Sequence, residues 1–169
     1  MSTSAEYSVR RARTPDVPHV RRLVDAYSND RILLSKEMVT LYEDVQEFWV
    51  AEAAGAVIGC GALHVMWEDL AEVRTLATDP QWRGRGVGST LLDRLVAAAR
   101  ELGISRVFCL TFEVDFFERH GFEVLEGTPV EPEVYVQLLR SYDEGVAEFL
   151  DLDRVKPNTL GNTRMLLRF

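Results

Sequence analysis

The sequence predicts an α/β (α+β) fold, a mixed sheet with helices packed on it. Three observations carry this. Short apolar runs of strand length recur along the chain, several stretches repeat apolar residues at helical spacing, and one strand leads through a glycine-rich turn directly into a helix. The 169 residues suit one domain over 1–169, and the balance of 47% apolar to 27% charged residues is that of an ordinary globular protein.

A strand is expected over Tyr7–Ala12, feeding a helix with Thr14 as N-cap, Pro15 at its first position and Asp16 complementing its dipole. Val17, Val20, Val24 and Tyr27 mark the buried face of that helix. A second short helix follows, capped by Ser35, with Met38, Leu41, Tyr42 and Val45 as its stripe. Strand runs at Glu47–Glu52 and Ala56–Trp67, joined tightly at Ala53–Gly55, predict an antiparallel hairpin. A further strand covers Glu72–Thr78. After the glycine-rich turn, Leu91, Leu92, Leu95, Val96 and Ala99 give a long helix that Gly103 is placed to end. Arg106–Phe112 reads as a strand, Val114–His120 as a short helix and Phe122–Leu125 as a strand. Pro132–Tyr142 reads as a helix, residues 143–161 as less regular, and Thr163–Phe169 as a closing strand.

Composition narrows the function. The formal net charge is −8 and no Lys/Arg-rich block is present, which argues against nucleic acid as a partner. No apolar run approaches the ~18 residues of a membrane span, and the start lacks a secretory apolar region, so no membrane association and a cytoplasmic location are expected. Cys60 and Cys109 each sit in a strand-like run and read as buried reduced thiols. His19, His64 and His120 have no metal-ligand spacing, and no metal is implied.

The chemistry is carried by the segment from Glu72 to Leu92. A strand passes through Asp79-Pro80 into a turn with glycines at 84, 86 and 88, then into a helix. Glycines let backbone N–H groups approach a ligand closely, the helix start adds unpaired N–H groups and its positive dipole end, and Arg83 and Arg85 add local positive charge. The result is an anion cradle within an acidic chain. A P-loop would need a lysine before Ser89, where Gly88 stands, and a dinucleotide fingerprint would put glycine at Ser89 itself.

At these residues the sequence resembles the GNAT superfamily of N-acetyltransferases. The family pattern Arg/Gln-x-x-Gly-x-Gly/Ala is met by Arg83-Gly84-Arg85-Gly86-Val87-Gly88, and the likeness extends from Arg10-Arg11-Ala12 to Phe116-Phe117-Glu118-Arg119-His120-Gly121-Phe122. It implies a GNAT-type mixed, mostly antiparallel twisted sheet with helices on both faces, and acetyl-CoA as co-substrate. It also implies cofactor contacts from Leu76, Ala77 and Thr78 to the pantetheine arm, and from Arg83, Gly84, Arg85, Gly86, Val87, Gly88 and Ser89 to the pyrophosphate. Within the superfamily the sequence is most similar to amino-acid N-acetyltransferases of the N-acetylglutamate synthase type, which open arginine biosynthesis. Ile32-Leu33-Leu34-Ser35-Lys36, Ala71-Glu72-Val73-Arg74-Thr75 and Val155-Lys156-Pro157-Asn158 through Asn162-Thr163-Arg164-Met165-Leu166-Leu167 carry that likeness. The short, stand-alone form is expected, because the kinase-like domain of the long form does not fit in 169 residues.

The implied reaction is direct attack of the α-amine of L-glutamate or L-glutamine on the thioester in a ternary complex. Leu76 is expected to supply a backbone N–H to the thioester oxygen, and Glu72 is expected to act as base, with an ion pair to Arg74 as its structural alternative. The family's usual tyrosine is replaced by Phe117, so Thr111, another hydroxyl or water is left to protonate the thiolate, or it leaves unprotonated. Lys36, Arg74 and Arg164, with Thr75 and Asn162 nearby, are the candidates for the substrate carboxylates. Residues 130–161 form an insertion that either covers the amine site or makes a homodimer contact. Two rivals stand beside this reading: a GNAT enzyme for a polyamine, an antibiotic or a protein lysine, and a non-catalytic sensor of acetyl-CoA or an amino acid.

Overall fold

The computed structural model describes residues 6–28, 37–158 and 161–169. Among these residues, seven strands hydrogen-bond in the order β1-β2-β3-β4-β5-β7-β6. They are β1 (Ser8–Arg11), β2 (Phe48–Ala53), β3 (Ala56–Trp67), β4 (Leu70–Thr78), β5 (Arg106–Thr111), β6 (Glu123–Val124) and β7 (Thr163–Arg168). The helices are α1 (Val17–Ser28), α2 (Met38–Glu43), α3 (Val87–Glu101), α4 (Val114–Arg119), α5 (Pro132–Leu138) and α6 (Glu144–Phe149). Pairing is antiparallel between β1 and β2, β2 and β3, β5 and β7, and β6 and β7. Only β4 and β5 are parallel among the registers described, and they pair over Leu70–Glu72 against Arg106–Phe108. No helix among the described residues is long and apolar enough to cross a membrane.

The chain divides into two compact units, Met1–His64 with Val73–Glu101, and Val65–Glu72 with Leu102–Phe169. In the first unit the β2–β3 hairpin turns at Ala54 and Gly55, both left-handed (φ 49° and 80°), the combination that matches strand twist in a two-residue turn. Its core gathers Val20, Val24, Leu41, Phe48, Val50, Val57 and Cys60. Helix α3 buries Val87, Leu91, Leu92, Leu95, Ala98 and Ala99. Two glycines of β3 admit that helix closely. A Cβ on Gly59 would stand 2.9 Å from Val87 Cγ1 and 3.0 Å from Leu91 Cδ1, and one on Gly61 would stand 2.8 Å from Leu95 Cδ1.

The second unit is built on β5 and β7, with Phe108, Leu138, Val146, Phe149, Leu150 and Leu166 in its core. Phe108 and Phe149 meet edge to face at 5.5 Å.

Three local expectations are corrected. Thr14 does not cap α1; a 3-10 turn over Thr14–Asp16 comes first, and the Asp16 carboxylate accepts the Arg13 N–H at 2.7 Å. Tyr42 is exposed on α2, while Leu41 alone of that stripe is fully buried. The helix expected to run to Tyr142 stops at Leu138, and a new helix occupies residues expected to be irregular. Local side-chain bonding explains the break. Ser141 Oγ accepts the Asp143 N–H at 3.1 Å, and the Asp143 carboxylate caps α6 at Val146 N, 3.0 Å away. The Ser35 cap lies outside the described residues.

Candidate cofactor site and catalytic residues

The anion cradle lies in the first unit. Past β4, the Asp79 carboxylate accepts the Gln81 N–H at 2.9 Å and caps a 3-10 turn over Pro80–Trp82. The chain then turns through Gly84 (φ 77°) and Gly86 (φ 81°) before α3 begins at Val87. Among the described residues, a Cβ on Gly84 would meet nothing within 4 Å, and one on Gly86 would meet only the Tyr7 hydroxyl, 3.8 Å away. Open space therefore borders both glycines, and the positive end of a 15-residue helix follows directly. These residues fit a polyanionic coenzyme.

Both arginines of the turn rest on aromatic rings. Arg83 lies 5.2 Å from the Tyr27 ring centroid and its Nε donates to Tyr27 Oη at 3.3 Å; that hydroxyl in turn donates to the Thr78 carbonyl. Arg85 lies 4.6 Å from the Trp82 centroid and pairs with Glu6 at 3.1 Å. Stacking of this kind holds a guanidinium in place while leaving its edge to meet an anion.

Strand β4 carries an unusual residue just before the cradle. Thr75 is left-handed (φ 58°) and 7% exposed, a conformation rare for a β-branched side chain and worth about 1–3 kcal/mol of strain. Its carbonyl accepts from Cys60 Sγ at 3.4 Å. A left-handed residue inside a strand turns the next peptide out of the regular ladder, and that next N–H belongs to Leu76.

Glu72, Thr111, Phe117 and Arg164 lie in the second unit. Glu72 is 5% exposed and in register with Phe108. Its carboxylate joins burial, the larger cause, in pushing the Cys109 thiol well above its ordinary pKa. Thr111 is buried at the end of β5, where its hydroxyl accepts the Glu113 N–H at 2.8 Å and remains able to donate. Phe117 is buried and meets Phe116 and Phe122 edge to face at 5.2 and 5.1 Å.

Arg164 is buried. Its Nε donates to the Glu148 carbonyl at 2.9 Å and its Nη2 to the carbonyls of Gly127, at 2.9 Å, and Phe149. Nη1 lies 3.9 Å from Asp151, and burial lowers the guanidinium pKa. Nε and Nη2 of its fork are thus bound to backbone carbonyls. Arg74 is half-buried, and Lys36 lies outside the described residues. A groove of about 600 Å³ in this unit, lined by Trp67, Asp69, Arg106 and Glu131 among others, contains none of the expected site residues. No group of three or more possible metal ligands occurs among the described residues.

Tyr7, Tyr27, Trp82 and Thr90 were not singled out from sequence as site residues, yet all four touch the cradle. Trp82 lies between motif residues and could have been flagged by its place there; the others reach the turn only through the fold.

Comparison with known proteins agrees with this geometry. Residues 44–124 match the family model "Acetyltransferase (GNAT) domain". An amino-acid acetyltransferase of Mycobacterium tuberculosis is 62% identical over 162 residues, covering 94% of this chain and 92% of that protein. The crystal structure of Rv2747 from the same organism, in complex with CoA and NLQ, superposes with a TM-score of 0.92 at 61% identity, over 96% of this chain and 99% of that one. N-acetylglutamate synthase of Neisseria gonorrhoeae, complexed with coenzyme A and N-acetyl-glutamate, matches with a TM-score of 0.78 at 26% identity; 98% of this chain is covered but only 36% of that one. With these relatives, the chain belongs to the GNAT family as an acetyl-CoA-dependent acetyltransferase.

Proposed function

We propose that the protein transfers the acetyl group of acetyl-CoA to the α-amine of L-glutamate or L-glutamine, the reaction that opens arginine biosynthesis, as a single acetyltransferase domain in the cytoplasm. The observation that carries this reading is the 62% identity, over nearly the whole length of both chains, to a protein named amino-acid acetyltransferase. The synthase matched at 26% identity, complexed with N-acetyl-glutamate, supports the choice of acid.

In this reading Arg83, Gly84, Arg85, Gly86, Val87, Gly88 and Ser89 hold the coenzyme diphosphate, and the backbone of Leu76, Ala77 and Thr78 holds the pantetheine arm. Acetyl-CoA supplies the activated thioester. The Leu76 N–H, which follows the left-handed Thr75, donates to the oxygen that gains charge, a contact of the kind worth about 3 kcal/mol in acyl transfer. Glu72, buried on β4, takes a proton from the incoming ammonium. Thr111 keeps a hydroxyl able to donate to the departing sulfur. Lys36, Arg74 and Thr75 meet the carboxylates of the amino acid; Arg164, already bound to three carbonyls, is assigned to holding its own segment.

The test is a panel of acceptors at fixed acetyl-CoA, followed by release of free thiol. Glutamate and glutamine are expected to lead all other amino acids. A faster rate with spermidine or an aminoglycoside would refute the assignment, as would the absence of amino-acid-dependent thiol release.

A further inference from the structure

We propose that Tyr7 is a positioning residue for the coenzyme-phosphate turn, and that Glu6 beside it is a resident anion opposing the coenzyme at Arg85. The inference rests on the reading that Arg83–Ser89 hold the diphosphate. A turn that binds an anion must face its N–H groups toward the ligand and hold its carbonyl oxygens away from it. The Gly86 carbonyl, at the centre of the turn, is held back twice by one residue. Thr90 N donates to it at 3.0 Å as the first helical bond, and Thr90 Oγ1 donates to it at 2.9 Å.

Hydrogen counting then fixes the role of Tyr7. Its hydroxyl lies 2.9 Å from Thr90 Oγ1. A threonine hydroxyl has one hydrogen, and that hydrogen is given to Gly86 O, so Tyr7 is the donor of the pair. Tyr7 thereby locks the Thr90 rotamer that restrains the Gly86 carbonyl. Having spent its only hydrogen, the phenol has lone pairs alone to offer a phosphate, so it acts through the turn and is not itself a ligand. The Tyr7 ring also meets Trp82 edge-on at 6.2 Å, and Trp82 is the platform for Arg85. Next in sequence, the Glu6 carboxylate pairs with Arg85 at 3.1 Å. Two adjacent residues thus act on the same turn with opposite sign: Tyr7 shapes it for an anion, and Glu6 places a competing negative charge on its guanidinium.

The test measures the CoA dissociation constant by calorimetry and steady-state constants for both substrates, on the full chain. Wild type comes first; if it fails to bind CoA, the reading of the turn falls and the inference with it. Given binding, Tyr7→Phe is expected to weaken CoA about three- to tenfold, the range of one neutral hydrogen bond, with kcat and the amino-acid KM unchanged. Thr90→Val is expected to match it, and the double variant to add little, because both break one relay. Glu6→Gln is expected to tighten CoA about two- to threefold at low ionic strength, the gain vanishing near 0.5 M salt. Equal CoA affinity in Tyr7→Phe and wild type would overturn the inference, as would a parallel loss of kcat, or no tightening by Glu6→Gln at low salt.

Discussion

Placing one methyl group on β3 tests how the cradle is held. In Gly59→Ala the new Cβ would stand 2.9 Å from Val87 Cγ1, 3.0 Å from Leu91 Cδ1 and 3.4 Å from the Ala77 carbonyl. Carbon pairs prefer about 3.5–4.0 Å, so two contacts are overlapped by roughly half an ångström or more. Leu91 can yield by rotating its terminal methyls. Val87 cannot, because its methyls branch at Cβ and it is the first residue of α3. The start of the helix must therefore move, carrying Gly86 and Gly88 with it. Overpacking of this size costs about 1–3 kcal/mol, or roughly 2–10 °C in Tm for a chain of this length. The expected outcome in urea melts is a lower midpoint at unchanged slope, together with a weaker CoA affinity by calorimetry and an unaltered amino-acid KM. Gly59→Ala/Leu91→Ala is expected to recover less than half of the affinity, since the stiff contact with Val87 remains. A Gly59→Ala protein as stable as wild type, with undiminished CoA affinity, would refute the close-approach reasoning.

Other outcomes follow from the same structure. Asp16, lowered in pKa chiefly by its hydrogen bonds from Arg10 at 2.8 and 2.9 Å, adds stability that is full above its unfolded pKa of about 4 and is lost as pH falls through its lower folded value. Asp16→Asn should therefore lower Tm at pH 7 and make the acid limb of stability shallower; an unchanged limb by pH-dependent melting would contradict this. Arg164→Met, which strands the carbonyls of Gly127 and of the buried Glu148 and Phe149, is expected to cost about 2–4 kcal/mol by urea unfolding, and a neutral result would remove the clamp from the account. Glu72→Gln is expected to cut turnover at neutral pH about tenfold or more and to flatten the acidic limb of the pH–rate profile, leaving CoA affinity intact; near-normal turnover would remove Glu72 as the base.

The parts of the fold legible in the sequence are those written in local pattern. β3 was expected over Ala56–Trp67 and is found there, because its apolar run is bounded by a turn at Ala54-Gly55. Helix α3 was legible from its leucine spacing between the motif glycines and Gly103, which ends it at φ 90°. Helix α6 was also written locally, as an Asp143 cap before Val146, Phe149 and Leu150, but the preceding stretch reads as helix too and hides the restart. What no pattern carries is conformation and pairing at distance. Thr75 has the composition of an ordinary strand residue, and nothing in its neighbours marks it as left-handed. Arg164 looks in sequence like any cation near a site, and only folding brings the carbonyls of Gly127, Glu148 and Phe149 around it. Tyr7 and Thr90 are separated by 83 positions, so their hydrogen bond has no local trace.

The three tryptophans occupy three different settings. Trp49, 8% exposed, meets the guanidinium groups of Arg11 and Arg94, 4.6 and 4.3 Å from its centroid. Trp67 closes β3 in the second unit, and Trp82 sits beneath Arg85 at the cradle. Their emission is thus a set of built-in optical reporters. With the other two indoles changed to phenylalanine, each would follow one event without a label: melting of the first unit, melting of the second, and the arrival of coenzyme at the turn.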